Sequence, residues 1–198
     1  MAELNKEIEK RVKIWEQFAK EIGAVYNCFE NDEELVLEYK NWEIKLDLIK
    51  KSKDHCQSYT RLKVFISSLS NFKFDVHKED FTATIGKFFG MQDVIVGDTA
   101  FDKKFVIRGN NEDKIKELFS NETLRNNLFD IDDFHLEITD VPIYYDYNFP
   151  KNIRILFFET YGEIEHIELL RKLFKSIMIV LDYLVTSKSI SEKEVLAR

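Results

Sequence analysis

The stretch Leu35-Val-Leu-Glu-Tyr-Lys-Asn-Trp-Glu-Ile-Lys-Leu-Asp-Leu48 decides the fold. Large apolar residues occupy alternate positions before and after Lys40-Asn41, which is the spacing of strands that bury one face. A polar two-residue break between two such runs is typical of a tight turn. The pattern therefore predicts an antiparallel hairpin formed by residues 35–39 and 42–48.

Alternating patterns recur along the rest of the chain and predict further strands. They occur at residues 59–67, 72–76, 101–108, 134–139 and 153–160. Since the first two of these follow the hairpin through short connections, we expect the first four strands to form a meander. Spacing of this kind predicts a sheet of about six to eight strands.

Segments with helical periodicity precede and follow the predicted strands. Residues 3–22 repeat apolar side chains every three or four positions, and Gly23 follows at a position that ends helices. Residues 163–186 predict a second long helix whose later half is apolar around most of its circumference. Such a helix is covered on more than one side. Short helices are expected between the strands, at residues 79–89, 112–119 and 121–129.

Together these patterns predict an α+β protein in which an antiparallel sheet packs against long N- and C-terminal helices, with short helices inserted mid-chain. The composition of 17 Phe, 6 Gly and 2 Pro is typical of long regular elements around a bulky core. Because no repeat, linker or low-complexity segment interrupts the chain, we expect one domain over residues 1–198.

Charge and hydropathy exclude several classes of protein. With 29 basic and 36 acidic residues the net charge is −7, which disfavours general nucleic-acid binding. The longest apolar window, at residues 177–185, is shorter than the about 20 residues of a membrane-spanning helix. The charged N-terminal sequence lacks the apolar stretch of a signal peptide. We therefore expect a cytoplasmic protein without a membrane span.

Two segments together carry a family resemblance. The first is Tyr59-Thr60-Arg61-Leu62-x-Val64. The second is Gly90-x-x-Asp93-Val94-x-x-Gly97-Asp98-x-x-Phe101-Asp102-x-x-Phe105-x-Ile107-x-Gly109. They resemble a set of uncharacterised prokaryotic proteins that share a YTR strand and a GDxxFDxxFxIxG segment. The resemblance spans about residues 35–130. It implies a shared fold, and no activity is assigned to the set.

Four charged residues of these segments form the candidate site: Arg61, Asp98, Asp102 and Arg108. One interpretation is that they converge as a polar cluster that binds an anionic or zwitterionic ligand. The interpretation we favour is structural, since Arg–Asp pairs commonly act as internal clamps.

The usual motifs of catalysis and cofactor binding are missing from the sequence. There is no P-loop, no G-x-G-x-x-G and no G-x-S-x-G, so no catalytic residue can be named and no cofactor is expected. The four histidines are scattered over different predicted elements, which argues against a metal site. Glu163 and His166 have the i, i+3 spacing of di-metal helix bundles, but no second such pair occurs.

The abundant phenylalanines have two interpretations. They form a packed core, or they line a cavity between the helices and the sheet that holds an apolar ligand. The cluster comprises Phe81, Phe88, Phe89, Phe101, Phe105, Phe119 and Phe129.

The sequence thus favours a non-enzymatic interaction module that self-associates, as a homodimer, through its last helix or a sheet edge. This interpretation is compatible with a protein partner, and a small-molecule ligand remains an alternative. The alternative is a carrier of a small apolar ligand, and the second alternative is an enzyme whose site is assembled from distant segments.

Overall fold

The structure, a computed structural model, describes residues 2–29, 32–49, 58–78, 91–131, 133–141 and 149–192. The short helix expected at residues 79–89 lies outside these ranges, and so do Phe81, Phe88 and Phe89.

Ten strands in the described ranges form one antiparallel sheet, which confirms the predicted fold class. The strands are β1 (Val25–Phe29), β2 (Asp32–Tyr39), β3 (Trp42–Ile49), β4 (Tyr59–Ser68), β5 (Phe74–Lys78), β6 (Gln92–Asp93), β7 (Phe105–Gly109), β8 (Phe134–Asp140), β9 (Ile153–Tyr161) and β10 (Ile190–Ser191). The count exceeds six to eight because β6 and β10 are two-residue strands, too short to leave an alternating pattern.

The order across the sheet is β1-β2-β3-β4-β9-β8-β5-β7-β6, and β10 pairs with the end of β4. The β2–β3 hairpin turns at Lys40-Asn41 as predicted, with Tyr39 opposite Trp42. Lys40 adopts the left-handed φ of 55° that a tight hairpin turn needs.

The predicted four-strand meander is wrong for its fourth strand, which corresponds to β5. β5 follows β4 in sequence, but β9 and β8 lie between them in the sheet. β4 instead pairs along its length with β9, from Tyr59 opposite Tyr161 to Ser67 opposite Ile153. An alternating pattern identifies a strand and its buried face, and it does not identify the neighbouring strand.

Five helices are present in the described ranges: α1 (Ala2–Ile22), α2 (Thr99–Lys104), α3 (Glu112–Phe119), α4 (Glu122–Phe129) and α5 (Ile167–Thr186). Asn111 and Asn121 cap α3 and α4, each accepting a hydrogen bond from a backbone N–H three residues further on. α5 begins later than predicted, after His166. Glu163 and His166 therefore do not share a helix, and the i, i+3 argument does not apply to them.

The predicted strand at residues 101–108 is a helix followed by a strand. Asp98 caps α2 by accepting hydrogen bonds from the backbone N–H groups of Ala100 and Phe101, both at 3.1 Å. The cap starts a helical turn, and the chain becomes extended only at Phe105.

Gly109 is required because Ile115 and the backbone of Lys73 approach it closely. Its φ is not positive, so the glycine is not needed for a left-handed turn. A β-carbon at this position would lie 2.1 Å from Cδ1 of Ile115 and 3.0 Å from the backbone oxygen of Lys73.

The core lies on one face of the sheet and is shared with all five described helices. A single row of buried side chains crosses the sheet on this face, made of Leu46, Leu62, Phe158, Leu136, Val76 and Ile107. Phe18 of α1 meets Phe174 of α5 edge-on, with ring centroids 5.2 Å apart. The additional apolar side chains of α5, among them Met178 and Ile179, pack against this core.

Candidate functional site

The second face of the sheet carries a set of charged side chains that we call the charged band. It comprises Asp47, Arg61, Lys63, Asp75, His77, His135, Glu137 and Glu159. One row across β3, β4, β9, β8 and β5 runs Asp47, Arg61, Glu159, His135 and His77. The adjacent row contains Lys63, Phe157, Glu137 and Asp75. Because strand residues two apart share a face, both rows lie on the side opposite the helices.

At one end of the band, Asp47 holds two cations. Nε and Nη2 of Arg61 donate to its two carboxylate oxygens at 2.8 and 2.9 Å, in the fork geometry of a bidentate pair. Nζ of Lys63 donates to the same carboxylate at 2.6 Å. The three side chains are 14–15% exposed, so they are largely protected from water but still accessible.

At the centre of the band, Asp75 lies between two histidines. Its carboxylate accepts a hydrogen bond from Nδ1 of His77 at 2.7 Å, and its other oxygen contacts Nε2 of His135. Asp75 is 0% exposed, and His77 and His135 are 2% and 4% exposed. The histidines do lie on different elements, as expected, but His77 and His135 come together because β5 and β8 are neighbours in the sheet.

Burial and pairing act in opposite directions on these groups. Burial alone would raise the pKa of Asp75, but the hydrogen bonds from His135 and His77 hold that pKa below its ordinary value. Burial alone would lower the pKa of His135, but its hydrogen bond to Asp75 raises it. The pair therefore favours an ionised carboxylate beside a protonated imidazole.

Glu137 completes the centre of the band, directly opposite Asp75 across the β5–β8 pair. Burial raises the pKa of its carboxyl to about 7, and repulsion by Asp75 and Glu159 adds to the effect, although His135 and Lys73 oppose it. Within the described ranges, this carboxyl group makes no hydrogen bond or ion pair. One ligand atom from each of Asp75, His135 and Glu137 lies within 4.8 Å of the others, which is a spacing that can hold a metal ion.

The centre of the band was missed by the sequence analysis, although a signal existed. Two segments carry an acid and an imidazole two positions apart, as Asp75-x-His77 and His135-x-Glu137, although the predicted strand 72–76 ends one residue before His77. This spacing puts both side chains on one face of each strand. What the sequence could not supply is the adjacency of the two strands.

The four residues predicted as a site do not all come together. Arg61 on β4 and Arg108 on β7 are separated by β9, β8 and β5. Four strand spacings of about 4.8 Å place their strands roughly 19 Å apart. Arg108 pairs instead with Asp93, through Nε at 3.0 Å.

Asp98 and Asp102 do share one turn, where both bind backbone. Asp102 accepts hydrogen bonds from the N–H groups of Val96 and Gly97 at 2.9 and 3.0 Å. Asp98 caps α2 and receives Nε of Arg125 at 3.0 Å. The Phe101 N–H and the Arg125 guanidinium hold the pKa of Asp98 below its ordinary value.

The phenylalanines in the described ranges pack ring against ring. The ring centroids of Phe101 and Phe105 are 4.7 Å apart, and those of Phe105 and Phe134 are 5.0 Å apart. Phe129 differs from the predicted core role, since it is 41% exposed at the end of α4.

The surface depressions in the described ranges include one of about 350 Å³ and one of about 420 Å³. One lies between α3 and α5, and the other surrounds the start of α5, and neither has a phenylalanine in its lining.

The fold and the band define a class of protein: a single antiparallel sheet with helices on one face and a partly buried charged surface on the other. No protein-family model and no curated protein matches the chain. The resemblance to the prokaryotic set with the YTR strand therefore stays a prediction. No helix in the described ranges is both long and apolar enough to cross a membrane.

One solved structure is similar over nearly the whole chain. It is the crystal structure of the mycobacterial trehalose monomycolate transport factor A, TtfA, with a TM-score of 0.53 and 7% sequence identity. The match covers 95% of this chain and 98% of that one. At this identity the likeness is one of fold alone.

Proposed function

We propose that the protein is a non-enzymatic interaction module and that the charged band is its binding surface. The observation that carries the proposal is the contrast between the two faces of the sheet. The first face takes the buried side chains of all five described helices. The second keeps Asp47, Arg61 and Lys63 charged and partly exposed.

The stability of the fold does not by itself explain why the second face carries charged side chains. Replacing buried ion pairs by apolar side chains of similar volume is often neutral or stabilising, so charges in mid-sheet are not needed for stability. Charged groups at a contact surface select a partner of complementary charge and penalise others. The bidentate Arg61–Asp47 pair supports this function, because it fixes the direction in which the guanidinium points.

The test is a thermal-shift panel of defined charged compounds: amino acids, dicarboxylates, sugar phosphates, polyamines, and short acidic or basic peptides. We expect at least one class to raise Tm of the wild-type protein by several degrees. The shift is lost in Arg61→Gln and kept in Lys10→Gln, a matched removal of an exposed cation on α1 that pairs with Glu165.

Two results would overturn this proposal. One is a panel in which no compound shifts Tm, or in which Arg61→Gln responds like the wild type. The other is recovery of the bound compound in chemically altered form by mass spectrometry, which contradicts a non-enzymatic role.

Self-association is the second part of the proposal, and we place it at the sheet edge formed by β1. This strand ends the sheet order, and Val25 on it is 60% exposed. An exposed strand edge is a template for pairing with another chain. Size-exclusion chromatography with light scattering tests it: the expected mass is twice 23.6 kDa, and Val25→Lys lowers the dimer fraction. A monomer at high concentration contradicts dimerisation.

A carrier of a small apolar ligand is the alternative, supported by the shared fold with a protein described as a transport factor. Native mass spectrometry of protein purified from its producing cells tests it. A retained apolar molecule supports the carrier, and a spectrum of the bare polypeptide opposes it. We rank this function second because the rings of Phe101, Phe105 and Phe134 are closely packed, and a ligand would have to separate them.

An enzyme assembled from distant segments is the third candidate. Asp75 and His135 lie 60 positions apart in sequence and form a buried acid–imidazole pair, which is a pair suited to general acid–base work. An activity that His135→Gln abolishes while the protein stays folded would favour it over the interaction module.

A further inference from the structure

We infer that Asp75, His135 and Glu137 form a binding site for a divalent first-row transition-metal ion, with Zn²⁺ the best match. The inference rests on the proposed use of the charged band for binding, and it names one ligand of that surface.

The backbone arrangement makes the site rigid. β5 and β8 are adjacent antiparallel strands, with Asp75 opposite Glu137 and His77 opposite His135. Side chains directly opposite each other on one face have Cβ atoms about 4.5–5.5 Å apart, and in a sheet interior this spacing is fixed by the ladder. The three ligand atoms consequently lie within 4.8 Å of one another without any movement of the chain.

The charge balance at the centre of the band leaves room for a cation. Asp75 and Glu137 are acidic and opposite each other, His135 supplies the charge that contacts Asp75, and Lys73, which also acts on Glu137, pairs with Asp140. Arg108 lies opposite Asp75 on β7, but its guanidinium pairs with an acid on β6. Within the described ranges, the Glu137 carboxyl group has no hydrogen-bond or ion-pair partner, although it is half-buried beside two other acids. A divalent cation bound between Asp75 and Glu137 removes the repulsion between them. As the imidazole of His135 releases its proton to solvent, its contact with Asp75 is replaced by a bond from each of the two side chains to the metal.

The donor set selects the kind of metal. One imidazole nitrogen and two carboxylate oxygens suit Zn²⁺, which commonly takes three protein ligands and leaves a fourth position open. Mg²⁺ and Ca²⁺ prefer all-oxygen sites, so the imidazole disfavours both. His77 serves as an orienting residue, because its Nδ1 holds the second oxygen of Asp75 at 2.7 Å. Such an orienting partner is typical of metal sites.

The experiment uses the full chain, stripped with a chelator, desalted and dialysed against Zn²⁺, with bound metal measured by mass spectrometry and affinity by calorimetry. We expect one Zn²⁺ per chain, and no comparable uptake of Mg²⁺ or Ca²⁺. Glu137→Gln keeps the shape of the side chain and removes its charge, and it should weaken binding at least about tenfold. His77→Gln should weaken binding by about 10–100-fold through Asp75.

His166→Gln is the matched control, since it removes an exposed imidazole from the start of α5 and should leave Zn²⁺ binding unchanged. Circular dichroism of each variant checks that the fold is kept. Absence of stoichiometric Zn²⁺, or equal affinities for Glu137→Gln and His166→Gln, overturns the inference.

The outcome separates this inference from the proposed function. If a compound shifts Tm through Arg61 but no Zn²⁺ binds, only the metal site is wrong. If Zn²⁺ binds with the expected response of Glu137→Gln but no compound or peptide depends on Arg61, the interaction surface is wrong and the metal site stands.

Discussion

Arg11 is 1% exposed, although it carries a full charge. Its guanidinium reaches Glu33 at 2.5 Å and also contacts Glu163, which joins α1 to β2 and to the segment before α5. Lys10, the adjacent residue, makes an exposed ion pair with Glu165. The two neighbours thus offer a direct comparison of a buried and an exposed ion pair.

We expect Arg11→Met to lower the free energy of unfolding by about 3–5 kcal/mol, because it leaves the charge of Glu33 buried without its cation. Lys10→Met should cost about 0–1 kcal/mol, as for other exposed pairs. Urea denaturation of both variants measures the difference. Equal losses would contradict the role of Arg11 as a clamp between elements.

The two tryptophans provide a second comparison between single residues. Nε1 of Trp15 donates a hydrogen bond to the backbone oxygen of Ile164 at 2.9 Å. Nε1 of Trp42 is buried and has no hydrogen-bond partner within the described ranges. A buried donor without a partner costs about 1–3 kcal/mol.

Replacing each tryptophan by Phe removes that N–H and some apolar volume. Trp15→Phe should therefore destabilise the protein by about 1–3 kcal/mol more than Trp42→Phe, since only Trp15→Phe leaves an acceptor unsatisfied. Thermal unfolding followed by circular dichroism gives both values. A larger loss for Trp42→Phe would show that the indole N–H of Trp42 has a partner after all.

At the scale of elements, the junction between β7 and α3 depends on the missing side chain of Gly109. Gly109→Ala places a methyl group against Cδ1 of Ile115, a residue that is 0% exposed, so the overpacking should cost about 1–3 kcal/mol. Ile115→Val removes that Cδ1 atom and alone costs about 0.5–1.5 kcal/mol.

The double variant, which combines Gly109→Ala with Ile115→Val, tests the cause of the loss. Because Val lacks the atom that the added methyl group would meet, the double variant should lose less stability than the sum of the two single variants. Guanidinium denaturation of the three proteins measures the coupling. Additive losses would mean that the contact with the Lys73 backbone oxygen, and not Ile115, limits this position.

Elements were predicted well where one local period repeats over several residues. α1, α3, α4 and the β2–β3 hairpin follow from spacing and caps in the sequence. The helix α2 was missed because the spacing of Phe101 and Phe105 fits both a strand and a helical turn. The helix forms because Asp98 caps its N-terminus.

The candidate site was harder to predict for a different reason. Its charged residues come from β3, β4, β5, β8 and β9, and a sequence pattern does not specify which strands are neighbours. Asp75-x-His77 and His135-x-Glu137 were each visible as pairs on one face. Their convergence required the β5–β8 pairing, which joins segments about 60 residues apart.

At the scale of the whole molecule, the pairing of β4 with β9 joins the two halves of the sheet. β1, β2 and β3 lie on the β4 side of this pair, and β8, β5, β7 and β6 lie on the β9 side. Leu62 on β4 and Phe158 on β9 are opposite each other, and both are 0% exposed. If the chain is one cooperative domain, as the sequence predicts, both halves unfold together.

Phe158→Ala should therefore lower the stability of the entire sheet by about 3–5 kcal/mol, because it leaves a cavity at the join. Fluorescence of Trp15 and Trp42 reports on the first half, since both residues precede β4. Hydrogen exchange of α3 and β8 reports on the second half. We expect the two probes to give one midpoint in the wild type and one lower, shared midpoint in the variant, as a two-state transition requires. Two separate midpoints, with only the midpoint of the second half lowered by the substitution, would show that the sheet spans two folding units. A single cooperative layer cannot lose half of its strands while the other half keeps its buried face.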